Sequence, residues 1–137
     1  GDCLGPLVGT LLNRKNFPLP VYGTISEPIH ALNIENKLNS IKSLHPHNSI
    51  IGIDACLGEI ESIGEIQARD FPVHPGKGVG KSLPNVGDSS IIGIVDSNNS
   101  EGIFSSSSNI RLNLILNMAE VILHSLIHSY YLYNHKM

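Results

Sequence analysis

Two aspartates have the residue type and the position that hydrolytic chemistry would need. Asp2 stands just ahead of an apolar series at helical spacing, Leu4, Leu7, Val8, Leu11 and Leu12, and Asp54 closes the apolar run of residues 49–54 (Ser-Ile-Ile-Gly-Ile-Asp). A continuous run of that kind is the pattern of a parallel-sheet strand buried on both faces. In such a sheet the carboxyl ends of the strands, with the loops that follow them, form the working edge. The two carboxylates are therefore expected at one edge, distant along the chain and close in space. Close carboxylates do not both ionise cheaply, so one stays protonated while the other acts as a base on water, which is the logic of acid-type peptide hydrolysis. Each has a plainer role open to it: Asp2 can cap the helix that follows, and Asp54 can cap or pair with a cation. Asp96 rivals Asp54, because it closes a second run of the same character, residues 90–96.

The segment His74-Pro75-Gly76-Lys77-Gly78-Val79-Gly80-Lys81-Ser82 has the look of a phosphate loop but fails the test for one. That motif requires Gly five positions before the Gly of Gly-Lys-Ser, where Pro75 stands, and a following helix, which Leu83-Pro84 blocks. Its reading is a Gly-rich loop over the strand ends, opening at His74. Its backbone N–H groups, those of Gly76, Gly78 and Gly80 among them, can hold a substrate carbonyl or a developing oxyanion. Glu27, beside Pro28, can bind substrate or mark a helix start. Cys3 and Cys56 adjoin the two aspartates, and without paired C-x-x-C spacing they read as small buried neighbours ahead of a thiol nucleophile or a zinc ligand set. His45, His47, His128 and His135 lack the spacing of a metal-binding helix. No metal and no cofactor is expected.

The elements that must position these groups are readable in outline. Helical spacing follows Asp2 directly and returns with Ile29, Leu32, Leu38 and Ile41, while residues 20–23 form a short β-like run. Residues 64–69 alternate as a half-exposed strand, and 71–84, with three prolines and three glycines, must be loop. Residues 98–108 are rich in Ser, Asn and Gly and read as loose, and 110–132 repeat apolar residues at helical spacing through Leu114, Ile115, Met118, Val121, Ile122 and Leu126. Alternating strands and helices predict a single α/β domain, a three-layer α/β/α arrangement around a mostly parallel sheet.

Composition narrows the function classes. At 137 residues, with 41% hydrophobic and 15% charged, the chain can bury a core. A formal net charge of −3 with scattered Lys and Arg argues against a nucleic-acid partner. Two cysteines with no signal-like segment ahead of them suit a reduced, cytoplasmic compartment. Arg111, Asn113, Asn117, Glu120, His124 and His128 interrupt the longest apolar segment, which is expected not to span a membrane. The chain opens on Gly1-Asp2-Cys3 instead of a methionine, so an upstream piece is expected to have been lost or cleaved.

Six segments together resemble a known family: Gly1-Asp2-Cys3-Leu4-Gly5-Pro6-Leu7-Val8-Gly9, Val21-Tyr22-Gly23-Thr24, Glu27-Pro28-Ile29-His30-Ala31-Leu32-Asn33, Ile53-Asp54-Ala55-Cys56-Leu57-Gly58, His74-Pro75-Gly76-Lys77-Gly78-Val79-Gly80 and Arg111-Leu112-Asn113-Leu114. In this order they look like the short spore-protease-like proteins called YyaC. Three of them are similar to the germination protease, and the fold is shared more distantly with hydrogenase-maturation proteases. The resemblance implies a sporulation-associated endopeptidase of the spore or forespore interior, with Asp2 and Asp54 as its catalytic pair and small acid-soluble spore proteins as substrates. It also implies that a first strand and a Gly-Thr-Asp loop normally precede Gly1. In the hydrogenase-maturation relatives the equivalent acidic positions grip nickel together with a histidine, for which His74 is the nearest candidate. A relative that kept the fold and acts by protein binding is the alternative.

Overall fold

The N-terminal apolar spacing produces the expected helix: α1, Leu4–Arg14, buries Leu4, Val8 and Leu12 along one stripe. Its cap position is held by Cys3, whose side chain makes no capping hydrogen bond. Two glycines let α1 approach its neighbours closely. A Cβ on Gly5 would lie 2.8 Å from the Ile53 carbonyl oxygen, and one on Gly9 would collide with the Gly23 carbonyl oxygen. The computed structural model describes residues 3–75, 82–98 and 108–135.

Helix α2, Ile34–Leu44, begins later than its apolar spacing predicts. The reason is local: the His30 N–H donates to Asn33 Oδ1 (2.8 Å), and Asn33 Nδ2 donates to the Pro28 carbonyl (3.2 Å). A side chain bonded to nearby backbone competes with helix in this way. Residues 20–23 form no strand. Pro18 and Pro20 bring no N–H to a ladder, and the segment leads into a loop where the Ile25 N–H donates to Thr10 Oγ1 at 2.9 Å.

Both buried runs are strands: β1, Ile51–Gly58, and β3, Ser89–Ser97, pair in parallel. A 3-10 turn, Ile60–Ser62, leads to β2, Ile66–Arg69, which pairs antiparallel with β3. The order is β1-β3-β2, so the described sheet is three-stranded and mixed. This corrects the expectation of a mostly parallel sheet. A parallel return after β2 would need a crossover, usually helical, and Pro72, Pro75 and Pro84 with their glycines make residues 71–84 a poor source of one. The α/β class stands.

One face of the sheet packs on α1 and α3. Ile53, Ala55, Ile66 and Ile91 reach a core built from Leu4, Val8, Leu12, Val95, Ile115, Met118, Ala119, Ile122 and Leu123. Helix α3, Ser108–His135, supplies the last five of these at helical spacing, and Tyr130 meets Phe17 edge to face at 5.7 Å. Residues 111–135 of this helix are long and apolar enough, by length and composition, to cross a membrane, with mean hydropathy 1.2. The polar interruptions noted in the sequence do not lower it below that level. The stripe from Ile115 to Leu123 nonetheless packs as the buried face of a core helix. Of the loose segment expected at 98–108, residues 99–107 lie outside the described residues.

Asp96, only 8% exposed, ties the end of β3 to the start of α3. Its Oδ1 accepts from the Ser97 N–H (2.7 Å) and its Oδ2 from Arg111 Nη1 (3.1 Å). Removing the guanidinium leaves a buried carboxylate with one partner fewer, a class of change that costs roughly 3–5 kcal/mol when both partners are fully buried. Arg111 is 29% exposed, and solvent screening reduces the cost. Arg111→Ala is expected to lower stability by about 1–3 kcal/mol, read from the urea midpoint.

Candidate active site

Alternation along β1 decides what Asp54 faces. Ile53 and Ala55 pack into the core, so Asp54 and Cys56 project from the opposite side of the sheet. The register sets Asp54 beside Ile92 and Ile92 beside Gln67, with Gly52, Ser90 and Arg69 forming the adjacent row. The face thus combines the buried Ile92 and Ile94 with a polar set drawn from β1 and β2. Arg69 donates to Gln67 Oε1 through Nε (3.1 Å) and Nη2 (2.6 Å), and Gln67 Nε2 donates to Glu65 Oε1 (3.2 Å).

Asp54 is not the last residue of its strand. β1 continues through Ala55-Cys56-Leu57-Gly58, and Asp54 is half-buried in mid-strand. Its rival Asp96 stands four residues beyond Ile92 on β3, about 13 Å along the strand, and is engaged by Arg111. These two carboxylates do not converge.

Cys56 reports the electrostatics of this face. Burial pushes its thiol up, the Arg69 guanidinium opposes the shift, and the Asp54 carboxylate adds to it. The sulfur is therefore held as a thiol at neutral pH, a poor nucleophile and a poor metal ligand, which supports the reading of Cys56 as a packed neighbour. The rate of Cys56 alkylation, followed by peptide mass mapping, is expected to rise with pH about a midpoint higher than that of an unstructured cysteine peptide. Rapid modification at neutral pH would contradict this.

From Arg69 the contacts lead outward. Its guanidinium sits 5.6 Å from the Phe71 ring centroid, Phe71 stacks on His74 at 6.3 Å, and His74 Nδ1 pairs with Asn85 Oδ1 at 2.8 Å. Reciprocal backbone bonds between Val73 and Val86, both 2.9 Å, join the two sides of the segment that holds the Gly-rich motif. Ile50 fastens the same base to Asp88: its N–H donates to Asp88 Oδ2 (2.8 Å) and its carbonyl accepts from the Asp88 N–H (2.7 Å). Val73 and Val86 lie against Gly52, two residues before Asp54. The motif's first residue, His74, is thus exposed and fixed at the base of that segment. Gly76, Gly78 and Gly80 lie outside the described residues, as does Asp2.

Glu27 occupies another place. It lines a cleft of about 320 Å³ with Asn13, Val21, Tyr22, Gly23, Thr24, Ser26, Ile29 and Lys37, a set that does not include Asp54. Asn13 is eight residues along α1 from Gly5, about 12 Å on the helix axis, whereas Gly5 is the residue that touches Ile53. Among the described residues no group of three His, Cys, Asp or Glu is arranged to hold a metal ion.

Sequence reasoning missed Gln67 and Arg69. Their signal was present: Glu65, Gln67 and Arg69 recur with period two, but only the cross-sheet register reveals that they share a face with Asp54. What this arrangement can do follows from its parts. A half-buried carboxylate can accept a proton from water, and a nearby guanidinium can polarise a carbonyl or steady an anion.

Residues 1–125 match the family described as "Protein of unknown function (DUF1256)". Over 123 residues the chain is 47% identical to the "Uncharacterized protein YyaC" of Bacillus subtilis (strain 168), an alignment covering 89% of this chain and 60% of that relative. The chain therefore spans about three-fifths of the length of the curated relative it matches. No solved structure matches.

Proposed function

The chain belongs to the DUF1256 family, and from that premise we propose that it is a sporulation-associated peptidase in which Asp54 and Asp2 share a proton and activate water against a peptide carbonyl. The carrying observation is the contact of Gly5 with the Ile53 carbonyl. It brings together the two segments that resemble the germination protease's catalytic motifs, since Gly5 is three residues after Asp2 and Ile53 immediately precedes Asp54. Arg69 suits the role of polarising the substrate, and the loop rooted at His74, with Gly76, Gly78 and Gly80, that of holding the peptide backbone. The fold in this reading is the three-layer α/β/α arrangement of the germination and hydrogenase-maturation proteases. The substrate is a protein of the spore or forespore interior, small acid-soluble spore proteins first among them.

The test is direct incubation with purified small acid-soluble spore proteins, with mass spectrometry of the products. Discrete fragments that depend on both aspartates support the reading. A second reading, a non-catalytic protein that acts by binding, draws on the exposed apolar residues of α3, Leu112, Val121, Tyr131, Leu132 and Tyr133. Retention of a spore protein with no cleavage at any pH would favour it and end the peptidase assignment.

A further inference from the structure

The cleft that holds Glu27 has the features of a binding site in its own right. Its wall is prebuilt by local bonds: Thr24 Oγ1 accepts from the Glu27 N–H (3.1 Å), the Thr24 N–H donates to the Glu27 carbonyl (3.1 Å), and the Ile25 N–H donates to Thr10 Oγ1 on α1 (2.9 Å). Gly23, with φ 89°, takes a left-handed turn that other residues rarely adopt. Tyr22 is fixed by the 2.7 Å bond between its hydroxyl and His45 Nε2 and by edge-to-face packing on the same ring. A loop braced this way loses little entropy when a ligand arrives.

Within that frame stand two opposite charges that do not use each other. Glu27 and Lys37 both line the cleft. The ion pair among the described residues joins Arg111 to Asp96, and within the same set neither the Glu27 carboxylate nor the Lys37 ammonium has a side-chain partner. Beside them Val21, Tyr22 and Ile29 supply apolar surface. An anion and a cation facing one small cleft, with an apolar wall between polar groups, match a ligand that carries both charges and a hydrocarbon side chain. A volume of about 320 Å³ is at the small end for ligand sites, which favours a single metabolite over a length of peptide.

We propose that this cleft binds a free apolar α-amino acid as its zwitterion, the ammonium on Glu27, the carboxylate on Lys37 and the side chain against Val21, Tyr22 and Ile29. The site is separate from Asp54, and the proposal does not depend on the peptidase reading. Neither charge needs to be desolvated alone, because each ligand group meets its opposite.

The test uses the full chain, L-leucine as probe, and calorimetry with amide-resolved NMR. Saturable binding is expected, with shifts centred on Tyr22, Gly23 and Lys37. N-acetyl-leucine and leucinamide, each lacking one charge, are expected to bind at least about tenfold more weakly, the scale of one lost charge-assisted hydrogen bond. Glu27→Gln is expected to erase the discrimination against N-acetyl-leucine, and Lys37→Gln that against leucinamide. Both side chains are exposed, and an unchanged thermal midpoint establishes that each variant folds. Absence of saturable leucine binding, shifts that map elsewhere, or equal affinity for all three compounds would overturn the proposal.

Discussion

Asp54→Asn is expected to lower the cleavage rate of a spore-protein substrate by about 10²–10⁴-fold, the usual contribution of a positioned acid or base, while the protein stays folded. The substitution keeps the size and most of the hydrogen-bonding capacity of the side chain and removes only its ability to carry a proton in and out. Because Asp54 sits in mid-strand on β1, with Ala55 and Ile53 on either side in the core, the backbone has no reason to move, and the unfolding free energy from urea titration should change by less than about 1 kcal/mol. The pairing logic makes a second demand. If two carboxylates share one proton, activity follows a bell-shaped pH profile, and loss of either partner removes one limb along with most of the rate. A variant retaining full turnover would dissociate Asp54 from the chemistry.

Gly9→Ala is expected to destabilise the protein although it replaces a helical glycine. Alanine in place of glycine ordinarily strengthens a helix by about 1 kcal/mol. Here the new methyl group would meet the Gly23 carbonyl, a backbone atom that cannot rotate away. Accommodation requires α1 to separate from the 21–24 loop, and overpacking of this kind costs about 1–3 kcal/mol, occasionally more. Because the methyl would collide with a backbone atom, the steric term lies toward the upper end of that range and wins, leaving a net loss of about 1–2 kcal/mol in denaturant unfolding. Gly5→Ala, whose methyl group would stand 2.8 Å from the Ile53 carbonyl oxygen, should cost less. Asn36→Ala on the exposed side of α2 should be neutral or slightly stabilising. The order of the three is the check, since propensity alone predicts that all three gain.

How much of this was legible beforehand depends on the range of the forces involved. The runs at 49–54 and 90–96 were recognisable as strands because burial on both faces leaves an uninterrupted apolar signature. The end of β1 was misplaced by four residues because a carboxylate resembles a stop. Nothing local says that Gln67 and Arg69 provide a polar row across the sheet in which Asp54 can remain within the strand. The start of α2 was read too early because the apolar spacing ignores the bonds from Asn33 back to His30 and Pro28. The antiparallel sense of β2 is invisible to periodicity, which is identical for both directions. Of the candidate site, Asp54, Cys56 and His74 can be named from the sequence, whereas the separate position of Glu27 depends on how the loop folds back on α1 through Thr10 and Gly9.

Among the described residues β3 pairs one margin of strand β1 and no strand pairs the other. Ile51 and Leu57 are half-exposed there. Along that rim the Ile53 carbonyl lies against Gly5 of α1, so the start of the helix covers part of the edge, and extended polypeptide could add ladder bonds only where α1 leaves it open. What stays open of this edge beside Asp54 would select extended over helical chain. Any segment captured on it would run directly past that carboxylate.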